Sequence, residues 1–120
     1  MDISQTSFDG ARPFAGYGPG FFRVGDEVIE GALVLHAAGL QRWDGYDDPS
    51  ALTRLAEEVD FILVGTGAEI AHPPNDFRVA VEEAGIGLEV MNSPAACRTY
   101  NVLLGEGRRV AAAVLPVGGG

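Results

Sequence analysis

Apolar positions follow two different patterns along this chain of 120 residues, and the change between them falls near Asp48. Before Asp48, short apolar runs are separated by turns that contain glycine and proline. After it, some segments carry apolar residues at helical spacing and others form continuous apolar runs. The first pattern is typical of strands, and the second of amphipathic helices that alternate with buried strands. We therefore expect a β-rich first third followed by α/β layers.

The β-rich part carries the signals of a hairpin. Residues 21–24 and 27–30 enclose the pair Gly25-Asp26, which suits a two-residue hairpin turn. Upstream, Pro19 and Gly20 are suited to the middle of a type II turn. Further strands are predicted at residues 32–36 and 40–43.

The first predicted helix begins with Asp48 as its N-cap and Pro49 as its first helical residue. Its apolar stripe has the spacing i, i+3, i+4, i+7 and consists of Leu52, Leu55, Ala56 and Val59. The continuous apolar run at residues 61–64 then predicts a strand that is covered on both faces.

Two more helices are predicted downstream. Pro73-Pro74 opens the second, Gly85 ends it, and the third has Ser93 as its N-cap and extends from Pro94 to Leu104. The apolar stripe of the second helix is formed by Phe77, Ala80, Val81 and Ala84. In the third helix, Tyr100 lies at the centre of the apolar stripe, so we expect its hydroxyl to reach a polar partner or the edge. Strands are predicted at residues 86–90 and 110–115.

Length and composition predict a single α/β domain at residues 14–116, with a flexible arm at 1–13 and a flexible tail at 117–120. One cysteine excludes an internal disulfide. No apolar segment approaches the ~18 residues that a transmembrane helix needs, and the first fifteen residues match neither a secretory nor a transit signal. We expect a bacterial, cytoplasmic protein of undetermined oligomeric state.

The chain is acidic, with a formal net charge of −9 and no lysine. A negative field repels phosphate backbones and anionic lipid, so nucleic acid is not an expected partner. The basic residues nearest to one another in sequence include Arg98, Arg108 and Arg109. They could bind an anion or an acidic patch of a partner, or they could be surface charges.

Cys97 allows two interpretations. Cys97 lies at the edge of the apolar stripe, where a free cysteine is typically half-buried and packed as a small hydrophobe. Near a helix start, however, backbone N–H groups can make a thiol acidic, and His72 is a possible base for it. The sequence does not place His72 beside Cys97, so both interpretations stay open.

Other features do not form a recognisable catalytic or metal set. Gly65-Thr66-Gly67 lacks the third glycine of a dinucleotide fingerprint, since that position is Ile70. His36, His72 and Cys97 do not have the spacing of a metal site, so no metal and no cofactor are expected. His36 is predicted to be a core or boundary residue. Two acidic pairs, Glu57-Glu58 and Glu82-Glu83, are predicted to be solvated helix faces.

The chain resembles one family over residues 14–116. The resemblance is carried by residues 17–24, Trp43, residues 61–67, residues 85–91 and residues 91–104. It is the domain-of-unknown-function family shared by the adipogenesis-associated domain-containing protein and a mitochondrial complex I assembly factor. The resemblance implies a three-layer α/β fold with a mixed central sheet, about three helices and an N-terminal β-hairpin. It implies a non-catalytic assembly role and carries over no reaction.

Two functions are therefore predicted from different classes. The first is a non-catalytic protein-binding module with a protein partner, in the assembly of respiratory complex I. The alternative is a small-ligand-binding or thiol-dependent enzyme with a pocket near Cys97. The candidate pocket or partner surface consists of Gly65, Thr66, Gly67, Cys97, Arg98, Asn101, Arg108 and Arg109.

Overall fold

Two β-sheets and three helices make up residues 11–118, which are the part of the chain that the computed structural model describes. The predicted arm and tail fall partly outside these residues. Inside them, Val117 pairs with Pro19, and the Gly20 amide donates to the Val117 carbonyl at 3.1 Å. The C-terminal stretch is therefore attached to the N-terminal sheet at this point.

The N-terminal sheet is antiparallel and has three strands, one more than the predicted hairpin. They are β1 Phe14–Gly18, β2 Phe21–Val24 and β3 Glu27–Glu30. The turn at Gly25-Asp26 is confirmed, and Gly25 has the positive φ of 58° that such a turn requires. The sequence did not predict β1, because its two glycines interrupt the alternation and a register irregularity lies between Phe14 and Gly16.

The second sheet is mixed and has five strands in the order β5-β4-β8-β6-β7. Strand β4 is antiparallel to β5 and β8, whereas β6 is parallel to β7 and β8. This confirms the mixed central sheet. The strands are β4 Leu33–His36, β5 Gly39–Arg42, β6 Phe61–Gly65, β7 Gly87–Met91 and β8 Val110–Val114.

The helices are α1 Ser50–Thr53, α2 Asn75–Glu83 and α3 Ser93–Gly105. The first predicted helix was too long, because the regular α-helix ends at Thr53. Several bonds beyond it span three residues, for example from the Ala56 amide to the Thr53 carbonyl at 3.2 Å. The apolar stripe is nevertheless buried over Leu52, Leu55 and Val59, so packing does not require a regular helix there.

The central sheet separates two apolar clusters, which makes the structure three-layered. One cluster joins α1 and α2 to one face through residues such as Leu52, Ile62 and Phe77. The other joins α3 and the N-terminal sheet to the opposite face through residues such as Phe22 and Tyr100. Burial of such side chains from water provides the main stabilisation of each layer. Within residues 11–118, no helix is long and apolar enough to cross a membrane.

Tyr100 is completely buried between α3, the N-terminal sheet and the central sheet. Its ring meets that of Phe14 edge to face, with 5.6 Å between centroids. Burial raises the pKa of its hydroxyl above the ordinary value. The expectation that this hydroxyl reaches a polar partner or the edge was wrong, because it finds no hydrogen-bond partner in the described part of the chain.

We expect the Tyr100 ring, and not its hydroxyl, to stabilise the domain. Tyr100→Phe should leave the free energy of unfolding unchanged or raise it by up to ~1 kcal/mol, because it removes a buried group without a partner. Tyr100→Ala should lower it by roughly 3–5 kcal/mol, the range for truncation of large buried aromatic residues. Urea unfolding of both variants measures the difference.

Arg98→Ala is the control for this pair, since Arg98 is exposed on the same helix. It should change the free energy of unfolding by less than about 0.5 kcal/mol. If Tyr100→Phe cost as much as Tyr100→Ala, the hydroxyl would have a stabilising partner and the packing described above would be incorrect.

Candidate functional site

The eight candidate residues lie at three separate places in the fold. Gly65 ends β6, and Thr66 and Gly67 follow it, at the carboxyl ends of the parallel strands. Cys97 and Asn101 lie on the inner side of α3, whereas Arg98 is exposed. Arg108 and Arg109 lie just before β8, at the opposite, amino end of the parallel strands. The structure therefore does not gather the eight residues into one pocket.

At the carboxyl ends of the strands, Ser93 joins three elements. Its buried hydroxyl donates to the Leu115 carbonyl at 2.6 Å and accepts from the Gly67 amide at 2.9 Å. The Ser93 amide also donates to the Gly67 carbonyl at 2.8 Å. These bonds tie the start of α3 to the chain after β6 and β8, so the hydroxyl is fully engaged within the fold.

The predicted N-cap of α3 was one residue too late. Asn92 is the N-cap, and its Oδ1 accepts from the Ala95 amide at 2.7 Å. Ser93 is thereby free for the contacts with Gly67 and Leu115. Both residue types are good caps, so the local sequence could not decide between them.

Gly65 is required by the close approach of α3 to β6. A Cβ at this position would lie 2.8 Å from the Ser93 Oγ and 2.9 Å from both the Ser93 Cα and the Val114 Cγ1. Such distances are shorter than van der Waals contact, and the backbone of Ser93 cannot yield without moving α3. The glycine therefore serves packing, as the neighbouring Ser93 does.

Cys97 is buried, with 4% of its surface exposed. Burial raises the pKa of its thiol to about 12, although the Arg98 charge opposes the shift. His72, the possible base, is exposed in the loop between β6 and α2. The geometry is that of a thiol packed as a small hydrophobe, and it disfavours an activated nucleophile.

Asn101 fastens the N-terminal sheet to α3. Its Oδ1 accepts from the Phe14 amide and its Nδ2 donates to the Phe14 carbonyl, both at 2.8 Å. The side chain thus pairs with β1 as a neighbouring strand would, and satisfies two backbone groups of a partly buried strand. Both polar atoms of this side chain are thus engaged with β1.

A cavity of about 300 Å³ lies at the amino ends of β6 and β8. It is lined by His36 from β4, Glu58 from the segment after α1, and Arg108 and Arg109 from the turn after α3, which are distant in sequence. From the sequence, His36, Glu58 and the arginine pair had no evident connection. No short motif could have linked them, since the pairing of β4 with β8 and the turns after α1 bring them together.

The two arginines of this cavity make different contacts. Arg109 donates from Nε to the Glu58 carbonyl at 3.1 Å and from Nη2 to the Glu57 carbonyl at 2.8 Å. Arg108 places its guanidinium 5.5 Å from the centroid of the Phe61 ring, a cation–π arrangement. Arg109 therefore fixes the segment after α1, while Arg108 packs over the start of β6.

The sequence matches the model of the family described as a protein of unknown function (DUF498/DUF598) over residues 14–115. The chain belongs to this family. The matched range contains every strand and helix of the structure.

Two bacterial relatives match nearly the whole chain. An uncharacterized protein of Rhodobacter capsulatus is 50% identical over 99% of this chain and 96% of that protein. The 13 kDa major membrane protein of Francisella tularensis is 30% identical over 96% of this chain and 99% of that protein.

A human relative is longer. NADH dehydrogenase (ubiquinone) 1 alpha subcomplex assembly factor 3 is 32% identical over 84% of this chain, and the match spans 58% of its own length. The shared part is thus the α/β domain and not the whole of that assembly factor.

Solved structures share the fold. A crystal structure described as an outer membrane protein from Bartonella henselae superposes with a TM-score of 0.81 at 34% identity, covering 92% of this chain and 98% of that one. A crystal structure of a Bordetella parapertussis protein gives a TM-score of 0.76 at 31% identity, covering 89% and 97%. The three-layer arrangement is therefore common to these proteins.

We expect Ser93→Ala to destabilise the domain by roughly 2–4 kcal/mol. The substitution removes two hydrogen bonds and leaves the buried Gly67 amide without its acceptor. Ser50→Ala is the matched control, because Ser50 is exposed and its hydroxyl donates to the Asp48 carboxylate at the surface. This substitution should change the free energy of unfolding by less than about 0.5 kcal/mol. Urea unfolding compares the two. Equal stability of the two variants would contradict the role assigned to Ser93.

The Cys97 thiol should react slowly with iodoacetamide while the chain is folded. The thiolate is the reactive form, and burial holds the pKa of this thiol near 12, so labelling should stay slow up to about pH 9. The chain unfolded in urea should react as an ordinary exposed thiol and serves as the control. Fast labelling of the folded chain near neutral pH would contradict the burial of Cys97.

Proposed function

We propose that this chain is a non-catalytic protein-binding module that acts in the assembly of respiratory complex I. The observation that carries the proposal is its similarity, over most of its length, to proteins named as complex I assembly factors. The match extends over the domain but not over the whole of those proteins, so the domain is the part for which a shared role is proposed.

The internal contacts of Ser93 and of several candidate residues argue against a reaction at these side chains. Ser93 and Asn101 use their polar atoms to hold α3 against the strands. Arg109 uses donors on backbone carbonyls, and Cys97 is buried with a raised pKa. Side chains that are engaged in this way are not poised for nucleophilic or acid–base catalysis.

The charge of the described chain is unevenly distributed, and this bears on the kind of partner. The excess of acidic residues lies in residues 44–60 and 75–84, the layer of α1 and α2. Its acidic residues are Asp44, Asp47, Asp48, Glu57, Glu58, Asp60, Asp76, Glu82 and Glu83, against Arg54 and Arg78. This layer repels nucleic acid and anionic lipid, so neither is a proposed partner.

The proposed partner contacts lie elsewhere on the surface. Of the candidate residues, Arg98, Arg108 and Arg109 are exposed, and they could meet acidic groups of a partner. Val102 is exposed one turn beyond Arg98 on α3 and would add an apolar contact. We propose this side of α3 as the first place to look for the partner surface.

We propose a bacterial, cytoplasmic location. Two relatives are described as membrane proteins, one from Francisella tularensis and one from Bartonella henselae. A cytoplasmic module that binds a membrane-embedded complex would be recovered with membranes, which accounts for the description of the Francisella protein but not for that of the Bartonella protein as an outer membrane protein.

The test is deletion of the gene in a bacterium whose respiratory chain contains complex I. Native gels of its membranes should show less assembled complex I, detected by NADH dehydrogenase staining, and the plasmid-borne chain should restore it. Cys97→Ala should restore it equally, provided that urea unfolding confirms a folded variant. Normal complex I in the deletion strain would overturn the assembly role, and failure of the folded Cys97→Ala variant would favour the thiol-dependent enzyme.

A further inference from the structure

The Nδ1 atom of His36 lies between a hydrogen-bond donor and a hydrogen-bond acceptor. The Ala38 amide donates to Nδ1 at 3.3 Å, and the Glu58 Oε1 lies 3.9 Å from the same atom. An unprotonated imidazole nitrogen accepts a hydrogen bond, whereas a protonated one can only donate. The two contacts are therefore alternatives, and the protonation of Nδ1 selects between them.

We propose that His36 is a proton-controlled switch in the wall of the cavity at the amino ends of β6 and β8. In the neutral ring, Nδ1 accepts from the Ala38 amide and the proton is on Nε2. When Nδ1 gains a proton from solvent, the Ala38 bond is lost and Nδ1–H donates to the Glu58 carboxylate. Histidine is the side chain that typically changes charge between pH 5 and 8, so this is the range to examine.

The elements around His36 offer Glu58 as the acceptor. The other charged groups of the cavity are Arg108 and Arg109, which carry only donors. On the neighbouring strands, His36 is paired with Gly39 of β5 and Ala111 of β8, which have no charge. Among the described residues of this cavity, the Glu58 carboxylate is thus the group placed to accept the hydrogen bond from Nδ1–H.

Only the Glu58 side chain has to move. Its backbone carbonyl is held by the Arg109 Nε, and the preceding carbonyl is held by Nη2 of the same arginine. About half of the Glu58 side chain is exposed, so its carboxylate can close the remaining distance to Nδ1 without repacking. Movement of the Glu58 carboxylate toward Nδ1 would bring it closer to the β4–β5 turn and would change the polar lining of the cavity.

NMR spectroscopy of the full chain tests the switch between pH 8 and pH 5. At pH 8, long-range proton–nitrogen spectra should show His36 with its proton on Nε2. On acidification, the Ala38 amide signal should move toward that of a solvent-bonded amide in step with protonation of the His36 ring. The Glu58 side-chain carboxyl signal should change over the same pH range.

Three variants separate this switch from general effects of pH. His72→Gln, in an exposed loop, should leave the Ala38 response intact, and His36→Gln should abolish it. Glu58→Gln should move the midpoint of the Ala38 response to more acid pH, because it removes the negative charge beside Nδ1. If His36→Gln does not fold, the wild-type chain and the other two variants suffice.

Any of four results would overturn the proposal. The first is a neutral His36 with its proton on Nδ1, and the second is an Ala38 amide signal that does not change when the ring is protonated. The third is an Ala38 response that persists in His36→Gln, and the fourth is a midpoint of that response that is unchanged in Glu58→Gln. The switch does not depend on the assembly role, because each measurement is made on the isolated chain.

Discussion

The junction between the start of α3 and the ends of β6 and β8 is the constraint on which the three-layer arrangement depends. Gly65 allows the backbone of Ser93 to approach β6, and the Ser93 hydroxyl then bonds both the chain after β6 and the chain after β8. A larger residue at position 65 would push the helix away and break these bonds together. Steric fit and hydrogen bonding are therefore coupled at one point.

The position of α3 fixed by this junction determines how the N-terminal sheet is attached. Farther along the helix, Tyr100 packs its ring against Phe14, and Asn101 bonds both backbone groups of the same residue. The middle strand β8 contributes small side chains to both faces of the central sheet. Ala112 faces the layer of α3 and the N-terminal sheet, while Ala111 and Ala113 face the layer of α1 and α2. Small side chains on both faces let the layers approach the sheet closely.

Much of the fold could be predicted because the spacing of apolar residues along the chain indicates which face of each element is buried. The hairpin at Gly25-Asp26, the helix that contains Phe77 and Val81, and the inner strands β4, β6 and β8 of the central sheet carry an apolar pattern that matches their buried faces. The same pattern misled the prediction after Asp48. Leu55 and Val59 are buried with helical spacing, but the chain there forms turns, since burial constrains where side chains point more than which hydrogen bonds the backbone makes.

The candidate site was harder to predict, because reactive residue types also serve structure. Nothing in the sequence distinguishes an asparagine that bonds a ligand from Asn101, which bonds a strand 87 positions away. Conversely, His36 and Glu58 had no apparent relation until strand pairing and the turns after α1 placed them in one cavity. Cys97, Arg98 and Asn101 were grouped as candidates because they are close in sequence. The tertiary structure instead brings His36, Glu58 and Arg108 together in one cavity. A search for function in this fold should therefore begin from the surfaces and the cavity that the packed layers leave open, rather than from the motif around the cysteine.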